Sequence, residues 1–249
     1  MELAGRVALV TGGTMGLGAA MAVALAQAGA DVVLAARNLG EPAEQLASQI
    51  RQLGRRCELW SGDMSRAEDC RSVVEFVDRT FGRLDVLIPN AGGPSPGSVE
   101  QITDEQWLQT MAVHVNALFF TTQAAVPIMR RQSQGVIVTV SSVAGLRGVP
   151  GALAYATAKG AVLQFTRCLA RDLANDNIRV NCVAPGVIRT RFHDDMTAER
   201  QRINIEQRIP LHAEGSPDQV AQAVMLLVTN DYITGEVIVV DGGLSMRVA

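Results

Sequence analysis

Tyr155 and Lys159 stand four residues apart in Tyr155-Ala156-Thr157-Ala158-Lys159, at the start of a stretch with helical periodicity. On a helix that spacing puts the phenol and the ammonium on one face, one turn apart. A phenol titrates near ~10 when unperturbed, and a fixed positive charge beside it stabilises the phenolate and lowers that value. A phenol so tuned can protonate a developing alkoxide, or take a proton from an alcohol, near neutral pH. Ser142 precedes the pair at the end of an apolar strand candidate, where its hydroxyl could hold the reacting oxygen. Asn116 lies in a helical stretch, where asparagine is a mediocre helix former. It reads either as a satisfied amide or as a water-binding group extending a proton relay to Lys159. Tyr–Lys pairs at this spacing are common, so the chemistry depends on what the rest of the chain builds around them.

A second group is Thr11-Gly12-Gly13-Thr14-Met15-Gly16-Leu17-Gly18. Gly12 permits a tight turn, Gly16 lets the backbone approach a pyrophosphate, and Gly18 allows close helix–sheet contact. Thr14, Met15 and Leu17 complete the cradle. The helix that follows offers unpaired N–H groups to phosphate. An apolar run before the turn and a helical pattern after it supply the context such a cradle requires.

The elements that must position these groups follow from periodicity. Apolar runs at 6–10 and 31–36 read as fully buried strands, and 56–60, 85–88, 135–140, 178–183 and 236–240 are further strand candidates. Helical stretches near 17–28, 42–53, 66–81, 104–131, 154–175 and 217–229 separate them, and Pro127 is expected to kink or interrupt the fourth. This alternation predicts an α/β fold with a parallel sheet covered on both faces. No linker or repeat divides the chain, so residues 1–249 are expected to form one domain. The least regular segment, about 189–215, carries Arg191, Phe192, Asp194, Asp195, Met196, Arg200 and Arg202 and is expected to be a substrate loop or lid.

Taken together, the glycine turn and the order Asn116, Ser142, Tyr155, Lys159 resemble the short-chain dehydrogenase/reductase family, in its 3-oxoacyl-(acyl-carrier-protein) reductase-like branch. The resemblance extends over nearly the whole chain, through Asp63, Asn90-Ala91-Gly92, Pro185-Gly186-Val187-Ile188-Arg189-Thr190, Tyr232-Ile233-Thr234-Gly235 and Val240-Asp241-Gly242-Gly243. It implies a single-domain Rossmann fold with a doubly wound, seven-stranded parallel sheet. It also implies a catalytic tetrad of Asn116, Ser142, Tyr155 and Lys159 for hydride exchange between a ketone or 3-oxoacyl carbonyl and a secondary alcohol. Lys159 would bind the nicotinamide ribose, Asp63 and Met64 the adenine, Asn90 the adenosine ribose side, and Ile188 and Thr190 the carboxamide. Asn90-Ala91-Gly92 could instead mainly support the turn, and Pro185-Gly186 could simply end a strand. The chain departs from many relatives at Pro89.

Cofactor choice turns on the end of the second strand, where an acidic residue would bind the ribose hydroxyls of NAD. Here Ala36 is followed by Arg37, whose guanidinium suits a 2′-phosphate, so NADP(H) is expected over NAD(H). Met15 leaves the turn without a basic residue, which points the other way. Expected substrate walls are 93–97, 143–151 and 189–212, with Leu146, Val149 and Phe192 apolar and Arg147, Arg189 and Arg191 open to an anion. Arg130-Arg131 could meet an acyl carrier protein, although a basic pair at a helix C-terminus needs no partner. The resemblance implies a homotetramer, and Ala154, Ala158, Ala161 and Cys168 are small enough for a neighbouring helix or for the chain's own sheet.

Composition narrows the remaining classes. Formal net charge is −3 without a long single-sign block, which argues against nucleic acid and membrane surfaces as partners. Continuous apolar runs fall short of the roughly 18 residues of a membrane span, and the N-terminus lacks a signal-peptide pattern. Cys57, Cys70, Cys168 and Cys182 have no CxxC spacing, so no metal is expected and free thiols in a cytoplasmic protein are. Three other readings are an NAD(H)-preferring alcohol or sugar dehydrogenase of the same family, a non-catalytic NADP(H)-binding sensor, and an epimerase or dehydratase on a related core. The sensor should lack a tetrad member. The epimerase should carry a longer C-terminal domain and a TGxxGxxG turn.

Overall fold

The computed structural model describes residues 1–193 and 196–246; Asp194 and Asp195 of the expected lid lie outside them. The strands are β1 (Val7–Thr11), β2 (Asp31–Ala36), β3 (Cys57–Ser61), β4 (Val86–Pro89), β5 (Gly135–Val140), β6 (Ile178–Pro185) and β7 (Val237–Val240). They form one parallel seven-stranded sheet in the order β3-β2-β1-β4-β5-β6-β7. The helices are α1 (Gly16–Gln27), α2 (Glu41–Gln52), α3 (Ala67–Phe81), α4 (Asp104–Met111), α5 (Ala117–Arg131), α6 (Leu153–Leu173), α7 (Ala198–Ile203) and α8 (Pro217–Thr229). Alternate side chains of β1 serve different layers. Ala8 and Val10 pack with α1 and α8, whereas Val7 and Leu9 pack with α3, α5 and α6. A strand buried on both faces has no polar side, hence its unbroken apolar run.

Local chemistry sets several boundaries. Thr103 with Gln106, and Ser216 with Gln219, form capping boxes that start α4 and α8. Gly82 adopts φ 71° and ends α3 in a left-handed cap. The expected interruption of the 104–131 helix is present but displaced. Pro127 lies exposed inside α5, and the break falls at Ala112–Asn116, a π turn whose closing bond runs from the Ala117 N–H to the Ala112 carbonyl. Proline costs less on an exposed face, where the Gln123 carbonyl it leaves unpaired can be hydrated, whereas an extra residue must go where the helix changes partners. As a unit, 104–131 is long and apolar enough to cross a membrane by length and composition, more than its continuous apolar runs indicated. In this fold α5 packs against α3, β4 and β5. The 189–215 segment is more ordered than expected, with short helical turns at Arg191–His193 and Asn204–Arg208 flanking α7.

Candidate active site

Strand order reverses at β1, whose neighbours are β2 and β4, so a crevice opens at the carboxyl edge of the sheet where open α/β folds bind ligands. The glycine turn occupies that edge. Gly12 and Gly16 have φ of +61° and +53°, a region that side chains rarely adopt. A Cβ on Gly12 would come within 2.9 Å of the Ala91 Cα. Gly18 is constrained by the turn rather than by the sheet, for a Cβ there would run into the Gly12 carbonyl and reach 2.8 Å from the Asn90 amide. Met15, the N-cap of α1, is exposed and offers no side-chain acceptor, and the first turn of α1 carries no acid. Its N–H groups therefore face the crevice uncapped, as an anion requires. Thr14 is buried beside them, and Leu17 packs into the core. Asn90 spends its amide N–H groups on the Thr11 and Gly12 carbonyls, at 3.0 and 3.1 Å, while the Thr11 hydroxyl accepts from the Asn90 and Ala91 amides. Those bonds favour the turn-supporting reading of Asn90-Ala91-Gly92.

Across the crevice, β5 ends at Val140 and hands the chain to Ser141 and Ser142. Ser142 Oγ accepts from the Ala144 amide at 3.1 Å and is hydrogen-bonded to the Tyr155 phenol. Ser141 Oγ donates to the Lys159 carbonyl at 2.7 Å, joining the loop to α6. Lys159 is buried, with its Nζ donating to the Val140 carbonyl at 2.7 Å and standing 5.7 Å from the centroid of the Tyr155 ring. Burial lowers the Lys159 ammonium to about 8. Burial raises the Tyr155 phenol, and the Ser142 hydrogen bond partly opposes it. The expected lowering of the phenol is thus not what the chain's own groups produce. Lys159 is tied to Val140 over the ring face, and desolvation outweighs the remaining attraction. Phe192 closes the outer side, its ring 5.7 Å from that of Tyr155.

Asn116 does not join this group. It ends the π turn, exposed and capping nothing with its side chain. Residues two apart on a helical turn point to opposite sides, and the inward position belongs to His114. That ring is buried and meets Tyr155 edge-on, with centroids 5.4 Å apart and planes at 88°. Sequence reading missed His114 because residue type drew attention to Asn116, while a π turn leaves no periodic trace. The available signal was a histidine two positions earlier in an apolar stretch.

The outer residues divide by what they can offer. Arg37 is exposed just past β2, in no ion pair among the described residues, and it helps lower the Asp63 carboxyl behind the larger effect of the Ser65 amide. Met64 and Ile188 are buried, so only their backbones could meet a ligand. Gly186 packs on Asp241, 2.8 Å from its Cα were a Cβ added, and donates to the Val240 carbonyl, so Pro185-Gly186 couples β6 to β7. Thr190 overhangs the glycine turn, 3.6 Å from where a Gly16 Cβ would stand. Arg147 donates to the Ser245 carbonyl and Arg189 pairs with Glu214, so neither is a free anion receptor. Arg130 and Arg131 already pair with Asp176 and Asp78. Ala154 and Ala158 are consumed by the chain's own core, whereas Cys168 is exposed. No cluster of three or more metal-ligating side chains occurs among the described residues.

The arrangement has close parallels. A family model described as enoyl-(acyl carrier protein) reductase matches residues 12–245. The chain is 37% identical to the 3-oxoacyl-[acyl-carrier-protein] reductase FabG of Thermotoga maritima, covering 98% of this chain and 99% of that protein. It is 36% identical to human dehydrogenase/reductase SDR family member 4, with 98% and 89% covered. Among solved structures, a short-chain type dehydrogenase/reductase from Mycobacterium marinum superposes with a TM-score of 0.92 at 31% identity, covering 99% and 98% of the two chains. Levodione reductase gives 0.92 at 28% identity, with 98% and 99% covered.

Proposed function

The chain belongs to the short-chain dehydrogenase/reductase family, oxidoreductases that interconvert carbonyl and alcohol groups with a nicotinamide dinucleotide, and from that premise we propose that it is an NADP(H)-dependent reductase of ketone or 3-oxoacyl carbonyls with Tyr155 as its acid. One observation carries the reading. Ser142, Tyr155 and Lys159 converge at the carboxyl edge of the sheet, opposite a helix N-terminus left uncapped for phosphate. Gly12, Thr14, Gly16 and Leu17 would hold the pyrophosphate, and Arg37 the 2′-phosphate. Asp63, Met64, Asn90 and Ala91 would flank the adenosine, and Pro185, Gly186, Ile188 and Thr190 the nicotinamide. When bound, the dinucleotide supplies or accepts the hydride.

The chain's own groups manage the proton. Ser142 orients the substrate oxygen toward the phenol. Tyr155, kept protonated by burial, donates its O–H as charge develops on that oxygen. Lys159 stabilises the phenolate left behind. A phenol held protonated by burial is in the form that an acid of the reductive direction requires. Phe192 beside Tyr155 supports the reading of 189–215 as a lid that excludes water from this transfer. An acyl carrier protein remains a candidate partner, though Arg130 and Arg131 are spent on internal ion pairs. Exposed Leu108, Phe119 and Leu153 are available for burial against further copies of the chain, as a homotetramer would require.

The test is a panel of ketones and 3-oxoacyl thioesters, followed in parallel with NADPH and NADH. Tyr155→Phe is expected to cut kcat by about 10²-fold or more while dinucleotide binding persists; binding without turnover in the unaltered protein would favour the sensor. Arg37→Glu is expected to lower the NADPH/NADH ratio of kcat/KM by about tenfold or more. An unchanged ratio would remove Arg37 from cofactor choice.

A further inference from the structure

The walls expected around the substrate meet at one turn. β7 ends at Val240, and the chain runs through Asp241-Gly242-Gly243 into a short helical turn at Leu244–Met246. Asp241 folds this turn with its own carboxylate. One oxygen accepts from the Gly243 amide at 2.8 Å and the other from the Ser245 amide at 2.6 Å, a local bonding pattern that aspartate favours in turns. The loop from Ser142 to Tyr155 leans on the result. Its start is tied by the Gly145 amide on the Ser142 carbonyl, and its end by the Gly97 amide on the Gly151 carbonyl. Its middle is loosely packed, for a Cβ at Gly148 or Gly151 would meet nothing within 4 Å. There Arg147 reaches out, and its Nε donates to the Ser245 carbonyl at 2.9 Å. The return of the 189–215 segment is seated on the same turn. The Leu211 amide donates to the Gly242 carbonyl at 3.1 Å, and a Cβ on Gly242 would stand 2.8 Å from Ile209.

We infer that Asp241 is a positioning residue that sets the width of the substrate entrance, by folding the turn that holds both Arg147 and the base of the lid. This role rests on the reading of Ser142 and Tyr155 as the residues that face the substrate oxygen. Those two bracket the loop that Arg147 fastens, so slack in the loop becomes slack in the substrate's seat. The dinucleotide side is served differently. Gly186 packs on the Asp241 Cα and Cβ, a contact that needs no carboxylate. The glycine turn at the other side of the crevice makes no hydrogen bond to Asp241 or Arg147 among the described residues. Loss of the carboxylate should therefore loosen substrate binding and leave dinucleotide binding intact.

Arg147→Met keeps the stem and removes the donor, while Arg147→Lys returns one. With the ketone that the panel turns over best, Met should raise KM about fivefold and leave KM for NADPH within about twofold. Lys should recover most of that loss. Asp241→Ala keeps the Cβ that Gly186 packs on and frees both walls, so the ketone KM should rise about tenfold or more. The double variant should lie within about twofold of Asp241→Ala, because both changes cut one path. Discrimination in kcat/KM between a methyl ketone and its tert-butyl counterpart should shrink in parallel. Hydrogen exchange needs no turnover. In Asp241→Ala, amides of 143–151 and 209–213 should exchange about tenfold faster, with those of β1 and α1 unchanged. Additive effects in the double variant, equal losses for ketone and NADPH, or unaltered exchange in both segments would overturn the role of Asp241. Should Asp241→Ala not fold, Arg147→Met decides through the ketone KM and the exchange of 143–151. If Tyr155→Phe still turned over, the reading of the reacting site would fail instead, and the exchange result would stand apart from it.

Discussion

Lys159 shows what the proposed proton-transfer site costs the fold. Its ammonium is depressed from 10.5 to about 8 because burial removes water that one carbonyl does not replace. Below pH 8 the lysine is charged in both folded and unfolded chains, and the folded chain bears the desolvation. Between about 8 and 10.5 the folded form releases its proton first, so this penalty disappears as pH rises and returns as pH falls. The difference corresponds to roughly 3 kcal/mol. Lys159→Met, which keeps the stem and removes the charge, should therefore stabilise the protein at pH 7 by about 1–3 kcal/mol while abolishing turnover. Denaturant midpoints of both proteins at pH 7 and pH 10 check this, and the advantage should fade at the higher pH. Sequence spacing was enough to find this residue. Its anchor on Val140 was not legible, because it depends on where β5 ends relative to α6.

At the scale of elements, the crevice depends on β1 and β4 lying side by side, and Asp85 clamps their amino ends. Its fully buried carboxylate accepts from the Val7 amide at 2.9 Å, from Arg83 Nε at 2.7 Å and from Arg6 at 3.0 Å. Removing it strands one buried amide and two guanidinium groups that can partly recover water. Asp85→Ala should cost about 2–3 kcal/mol, read as a lower denaturant midpoint at unchanged slope. Strand identities were legible because β1, β2, β4, β5 and β7 are mostly apolar runs, whereas β3 carries Glu58 and β6 carries Arg179 and Asn181 within mixed runs. The break between α4 and α5 was assigned to Pro127 because proline is visible in a sequence. A π turn at 112–116 changes no residue type and so gave no warning.

Over the whole molecule, two apolar layers on one sheet fix the position of the carboxyl edge, and the groups gathered there come from segments far apart in the chain. Tyr155 and Lys159 were legible because one helical turn of sequence separates them, and Ser142 because it follows the end of an apolar strand run. His114 and Asn116 were confused because they lie inside an element, where only rotation about the axis separates an inward side chain from an outward one. That rotation is a matter of phase. The π turn adds a fraction of a cycle between α4 and α5, so each helix can satisfy its own neighbours while His114 still faces Tyr155. Deleting Val115 would cancel the offset and turn His114 by about 100° relative to α5. Such a chain should keep its circular dichroism and its dinucleotide affinity yet lose most turnover. The local count of residues, more than their identity, would then be what keeps the proton site aligned with its scaffold.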